Sequence, residues 1–288
     1  MSDLLQLRRG DSDSRKIWGG VKQTTTPAYT VKNLQTDLKS VGVYTEKVDG
    51  GFGKISENAL KFFQWVLVNS DAAVKNKTLI KQIAIPKLIV SGRLDPVTAS
   101  HLQTWIKNKL SATGDLVRVD TTKLSNISLG HGFKHIAKPR VKKTDLVIST
   151  EALGMVKLMN ETAAKLGLSI MINQAFRLNN VKVSGAVVPP ATKSQHLIGH
   201  AIDCNIVDGD TWNNSRDFKK HRQTADAEKF IARMKKASHR WGGDFGRVDT
   251  PHFDKQLDAS SFSYDAKFYL NQKQIVSGAP IELQTISD

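Results

Sequence analysis

The run from His196 to Val207 constrains the fold most. It is rich in Ile, Val and Ala and is broken once, at Gly199. β-Branched residues lose rotamer freedom in a helix, and glycine inside one costs about 1 kcal/mol relative to alanine. The run therefore reads as strand, turn and strand. The spacing of His196 and His200, four positions apart, would suit two ligands sharing a helix face. A helical zincin site also needs a Glu after the first His, and Leu197 stands there. The helical pair is rejected for this reason. In an extended reading, alternation through Ala201, Ile202 and Asp203 places the carboxylate on one strand face, and Gly199 supplies the turn that returns His196 beside it.

The neighbouring segments fit a mixed domain. Thr150 and Glu151 open a helix carrying Leu153, Val156, Met159, Ala163 and Leu166, ended by Gly167. Leu168 to Ala175 reads as a buried strand delivering Phe176 and Arg177, Val181 to Lys193 as a loop, and Thr224 to Ser238 as a charged helix. Helices alternating with short strands predict an α+β domain over residues 121–270. Cys204, the single cysteine of the chain, lies inside the apolar run and reads as a small core residue.

The first half has a different texture. Residues 1–27 are polar, end in Thr24-Thr25-Thr26-Pro27, and read as a flexible arm. Val31, Leu34, Leu38 and Val41 recur at helical spacing before Gly42. A turn cluster follows at Val48 to Gly53, with Phe52 as an aromatic plug. Ser56 then reads as the N-cap of a second helix bearing Ala59, Leu60, Phe63 and Leu67. Ser70 to Lys81 looks like an inserted excursion. Asp95-Pro96 opens a third helix with Leu102, Trp105 and Ile106. Together these predict a small three-helix bundle over residues 28–110. A linker at 111–120 joins it to the second domain, and a tail occupies 271–288.

The ordered set Leu34-Gln35, Leu38, Gly42, Asp49-Gly50, Phe52-Gly53, Ala59 and Phe63-Gln64 resembles the peptidoglycan-binding domain of cell-wall hydrolases. Ser56 replaces that family's usual Thr, and the segment before the third helix is longer. In the second domain, Ser194-x-His196 followed by Gly199-x-Ala201-x-Asp203 resembles the zinc signature of the D-Ala-D-Ala carboxypeptidase and L-alanyl-D-glutamate peptidase family. That family shares its fold with the hedgehog signalling domain. Trp241-Gly242-Gly243-Asp244-Phe245 and Asp249-Thr250-Pro251-His252-Phe253 complete the resemblance.

The resemblance implies a Zn2+ site built from His196, Asp203 and His252, with Asp249 as catalytic carboxylate. It also implies Arg177 as a second catalytic group, with Arg177 and Ser194 binding substrate. A catalytic zinc takes three such ligands and keeps a fourth position open. A carboxylate beside the metal can take a proton from water and pass it to the leaving amine, and a fixed guanidinium can hold a substrate carboxylate or a developing oxyanion. Of the eight histidines, His131, His135, His200, His221 and His239 read as non-ligands, with His200 at the rim of the cleft. Asp208, Asp210, Asp244 and Asp254 read as turn or surface acids.

The two resemblances imply a phage endolysin that cuts a stem-peptide bond of peptidoglycan, L-alanyl–D-glutamate, during host lysis. The alternatives are a D,D-carboxypeptidase, a cross-link endopeptidase, or a non-catalytic wall-binding protein. A formal charge of +15 implies attraction to polyanions, here the wall and the anionic envelope surface. Without a zinc finger, ribonucleoprotein or P-loop signature, nucleic acid is not an expected partner. No apolar stretch approaches the roughly 20 residues of a membrane span. The first twenty residues lack the apolar core of a signal peptide. The expectation is a monomer made in the host cytoplasm that reaches the wall after membrane permeabilisation.

Overall fold

Two carboxylates near the N-terminus decide how the chain begins. The computed structural model describes residues 6–69, 88–133, 136, 140–179 and 192–286, in two compact units, Met1–Gly114 and Asp115–Asp288. In the first unit the Asp13 carboxylate accepts Val31 N–H (3.0 Å), Lys32 N–H (2.9 Å) and the Trp18 indole N–H (2.7 Å). It thereby satisfies open backbone donors of α1 (Val31–Ser40), whose N-cap Thr30 also forms a capping box with Asn33. Asp11 accepts the backbone N–H groups of Gly19 and Gly20 at 2.9 and 2.8 Å. These bonds fold a hairpin of β1 (Ile17–Trp18) and β2 (Val21–Lys22), and bury Leu7 and Trp18. The flexible arm expected over residues 1–27 is therefore corrected: from Leu7 onward this segment packs into the first unit.

The helical part of that unit is a short internal repeat. Gln35 on α1 accepts from Asp49 N–H and Gly50 N–H through Oε1, and donates to Asp49 Oδ1 and Gly51 O through Nε2. Gln64 on α2 (Lys54–Val68) does the same for the next turn, accepting from Gly92 N–H and donating to Arg93 O and Thr98 Oγ1. Phe52, Ser56, Leu60 and Phe63 thus correspond in order to Leu94, Thr98, Leu102 and Trp105 on or before α3 (Pro96–Lys107). Leu34, Leu38, Leu60, Phe63, Leu102 and Trp105 are buried, with Phe63 edge-on to Trp105 at 5.3 Å. Asp95 caps α3 as expected, accepting Thr98 N–H at 2.7 Å. Ser56, however, is not a cap. Gly53 occupies that position, and the buried Ser56 hydroxyl instead takes a hydrogen bond from Gln35 and donates to Gly51 O. The excursion expected at Ser70 to Lys81 lies outside the described residues.

The second unit is mixed helix and sheet, so the chain is α+β. Its main sheet runs β4 (Ile127–Leu129), β6 (Leu168–Gln174), β7 (Ala201–Asp208), β10 (His252–Asp254) and β9 (Arg240–Trp241), with β8 (Thr211–Asn213) also paired to β7. Ile170, Ile172, Ile202, Cys204, Ile206 and Phe253 point to one face. There they pack against Val156 and Met159 of α4 (Leu153–Leu166) and Phe230 and Met234 of α6 (Ala225–Lys236), beyond the short α5 (Ser215–Lys219). Strand residues alternate between faces, so Asp203 and His252 must lie on the opposite one. Cys204 is the core residue expected; burial pushes its thiol pKa well up.

A second, smaller sheet, β11 (Glu282–Leu283), β3 (Leu116–Asp120) and β5 (Asp145–Ser149), corrects the expected linker and tail. Residues 116–120 are strand rather than linker. The C-terminal segment forms most of the last two turns of α7 (Phe262–Val276) and then pairs with β3 in parallel. Buried polar groups explain why both ends belong here. Lys267 donates to Asp115 at 2.7 Å and to Glu151 at 2.9 Å, while Asn271 and Gln274 bond the backbone of Asp115 and Leu116. Charges this buried need partners, and α7 supplies them.

Candidate metal centre

His196 reaches its place through a turn. Ser194 caps a single 3-10 turn, Gln195–Ile198, its hydroxyl accepting His196 N–H, and Gly199 then takes φ +74°. A β-carbon at Gly199 would stand 2.8 Å from the backbone nitrogen of Ser149, so both conformation and space require glycine. The strand expected before Gly199 is thus corrected to this turn; the strand expected after it is β7. Arg177 N–H donates to His196 O at 3.0 Å, tying the turn to the end of β6.

Three ligand atoms converge there. His196 Nε2, Asp203 Oδ1 and His252 Nδ1 lie 3.0–3.2 Å from one another. Asp203 and His252 are direct cross-strand partners, which sets their approach. Among the described residues this is the cluster of His, Cys, Asp or Glu able to hold a metal ion. The outer nitrogens are committed elsewhere. His196 Nδ1–H donates to Ala175 O at 2.7 Å, and His252 Nε2–H donates to Asp254 Oδ2 at 2.9 Å. Asp254 is clasped in turn by both arms of the Arg240 guanidinium at 2.8 and 2.7 Å.

With the outer nitrogens protonated, all three inner atoms of the neutral histidines and the carboxylate are acceptors. Three acceptors facing each other repel unless a proton or metal cation lies between them. The electrostatics agree. Burial favours neutral His252, yet hydrogen bonds to Asp203 and Asp254 push its pKa up to about 9. Burial likewise works against ionised Asp203, but the two histidines hold its carboxyl well below the usual carboxylate range. Two imidazoles and one carboxylate suit zinc and leave a position for substrate or water.

The loop before β10 is held from both ends. Asp249 N–H donates to Gly242 O at 2.8 Å, His252 N–H donates to Asp249 O at 3.0 Å, and the Trp241 indole donates to Thr250 O at 2.8 Å. A β-carbon on Gly242 would stand 2.0 Å from Asp249 O. Burial, then the Asp203 charge, raise the Asp249 pKa against the opposing pull of His252 and His196. Asp249 is therefore within electrostatic reach of all three ligand residues. Arg177 is buried, and its guanidinium donates to Gln174 Oε1 at 3.2 Å; desolvation lowers its pKa while Asp203 and Tyr264 oppose that.

Two further expectations change. Asp254 is no surface acid: it is fully buried and orients His252. The signal was present in His252-x-Asp254, since alternate strand residues share a face, but it needed the strand to be known. Arg240 and Gln174 carried no comparable signal. His200 is buried rather than at a rim, and its Nδ1–H donates to Lys255 O at 3.1 Å. It does not join the cluster, nor do His131, His221 and His239; His135 lies outside the described residues.

Replacing Asp254 by Ala is expected to weaken metal binding about 10- to 100-fold, the usual cost of losing an outer-shell partner. Competition against a chromophoric chelator measures it, and unchanged affinity would contradict the orienting role.

No curated protein matches the chain. Two family models do. Residues 28–67 match one described as a putative peptidoglycan binding domain, and residues 189–255 match one described as D-alanyl-D-alanine carboxypeptidase. The second match spans the turn, β7, the Asp249 loop and β10, so it contains every member of the converging trio. Residues 28–67 are thus similar to a peptidoglycan-binding domain, and residues 189–255 to the D-alanyl-D-alanine carboxypeptidase family.

Proposed function

We propose that the protein is a phage-endolysin-type zinc peptidase that hydrolyses L-alanyl–D-glutamate in the peptidoglycan stem. The convergence of His196 Nε2, Asp203 Oδ1 and His252 Nδ1 carries this reading, in a chain that also has a wall-binding domain. A zinc ion held there supplies Lewis acidity toward the scissile carbonyl and toward water. Asp249, half-buried in the loop before β10, takes a proton from water and returns one to the leaving amine. Arg177, desolvated and braced by Gln174, meets a substrate carboxylate or the oxyanion. The first unit raises the local concentration of the peptidase on an insoluble polymer. The net positive charge adds attraction to anionic envelope polymers.

The description of the matching family favours a second reading, cleavage at D-alanyl–D-alanine by the same groups. Mass spectrometry of purified peptidoglycan after digestion separates the two. A new D-glutamate amino terminus is expected. Release of D-alanine alone would establish the second reading, and no new terminus would overturn both.

A further inference from the structure

On the same face of β7 as Asp203, the next outward residues are Asn205 and Val207, because Ile202, Cys204 and Ile206 face the core. Cross-strand register extends this row. Met171 lies opposite Asn205, and Ser169 and Trp212 flank Val207 on the two neighbouring strands. Trp212 therefore shares the face of the metal cluster. Its neighbour Asn213 faces inward, buried and donating to Ile206 O. The Trp212 side chain is 45% exposed, while Trp18 and Trp105 are almost fully buried. Val207 lies four residue steps along the strand from Asp203, so the indole opposite it stands roughly 13 Å along the strand from the cluster.

An exposed indole contributes little to the core, and large amphipathic rings of this kind are favoured contact groups. The hairpin that carries it is short, with Asp208 paired to Thr211. We infer that Trp212 is a sugar-stacking subsite for a pyranose ring of the glycan strand, reached along the face of β7 from the metal cluster. This inference rests on the peptidase reading and sharpens its substrate. A pyranose presents a flat face of C–H groups that matches an indole, and Asn205, between the two, offers an amide donor and acceptor to the acetamido or lactyl groups.

The distance discriminates between stem bonds. An L-alanyl–D-glutamate bond lies one residue from the lactyl link. One of the two nearest sugars then falls within roughly 13 Å when the chain is extended. A D-alanyl–D-alanine bond stands three residues further out. It would carry the sugar roughly 10 Å beyond Trp212.

The test uses the full-length metal-loaded protein and two soluble probes, a disaccharide-linked tetrapeptide and the same tetrapeptide without sugar. Trp212→Ala is expected to lower kcat/KM about tenfold on the first probe, equivalent to about 1.4 kcal/mol, and to leave the second unchanged. Trp212→Phe, which keeps an aromatic face, is expected to restore most of the loss. Equal loss on both probes, or none on either, overturns the subsite while the peptidase reading stands. A wild-type protein that cleaves neither probe overturns both the subsite and the L-alanyl–D-glutamate reading.

Discussion

Replacing His252 by alanine is expected to abolish metal retention and hydrolysis of sacculi together, and His196→Ala to do the same. Each offers one of the three inner atoms that could hold the metal. A three-ligand catalytic site that loses one imidazole keeps too few donors to hold zinc against water. Metal content after dialysis and turbidity loss of purified sacculi are the two measurements, and full activity in either variant would rule out the site. The apo protein adds a pH signature. His252 has its pKa raised to about 9, above an ordinary histidine, by Asp203 and Asp254. This raised pKa stabilises the metal-free fold fully below about pH 6.5, and that stabilisation is lost as pH rises through about 9. Metal must displace the Nδ1 proton, so apparent affinity is expected to rise about tenfold per pH unit and level off near pH 9.

Asp249→Asn is expected to keep the metal and lose turnover, with kcat falling about 10²- to 10⁴-fold, the span associated with a positioned acid–base group. Asparagine preserves size and the backbone bonds to Gly242 and His252, which do not involve the side chain. What it removes is a proton carrier. In the metal-free protein Asp249 should take up a proton at higher pH than an ordinary aspartate, because burial and Asp203 both disfavour its charge. Loading a divalent cation is expected to reverse this shift, since nearby positive charge favours the carboxylate. Carbon-13 NMR titration of Asp249 with and without metal reads both states. Unchanged kcat in the asparagine variant would assign the proton transfer to another group.

These two effects are unequal in how they were found. His196 and Asp203 belong to one local run, and Gly199 between them announces a turn, so their proximity was legible before any fold was known. His252 was legible only as part of an ordered pattern. What brings it in is the pairing of β10 with β7, which sets His252 opposite Asp203. Asp254 was misread because an aspartate after a short apolar strand is usually a solvated end. Its burial depends on Arg240 arriving from β9, a neighbour that sequence separation conceals. The ends of the chain were misread for a similar reason. Polar segments at residues 7–22 and 271–283 look solvated by composition. They order because Asp11 and Asp13 bind backbone N–H groups, and because Lys267, Asn271 and Gln274 satisfy buried partners near Asp115.

By itself, then, the sequence determined the α+β character, the helices at residues 31–40, 54–68 and 96–107, the glycine turn that positions His196, and the residue types of a metal site. Periodicity and backbone permissiveness are local properties, and they survive without knowledge of what packs where. The tertiary structure alone decided which acids are buried, which nitrogens carry the outer hydrogen bonds, and that Trp212 shares a face with Asp203. Those facts depend on strand order and register. A polar side chain's role is set by the partner brought to it across the sheet, and the chain does not encode that partner nearby.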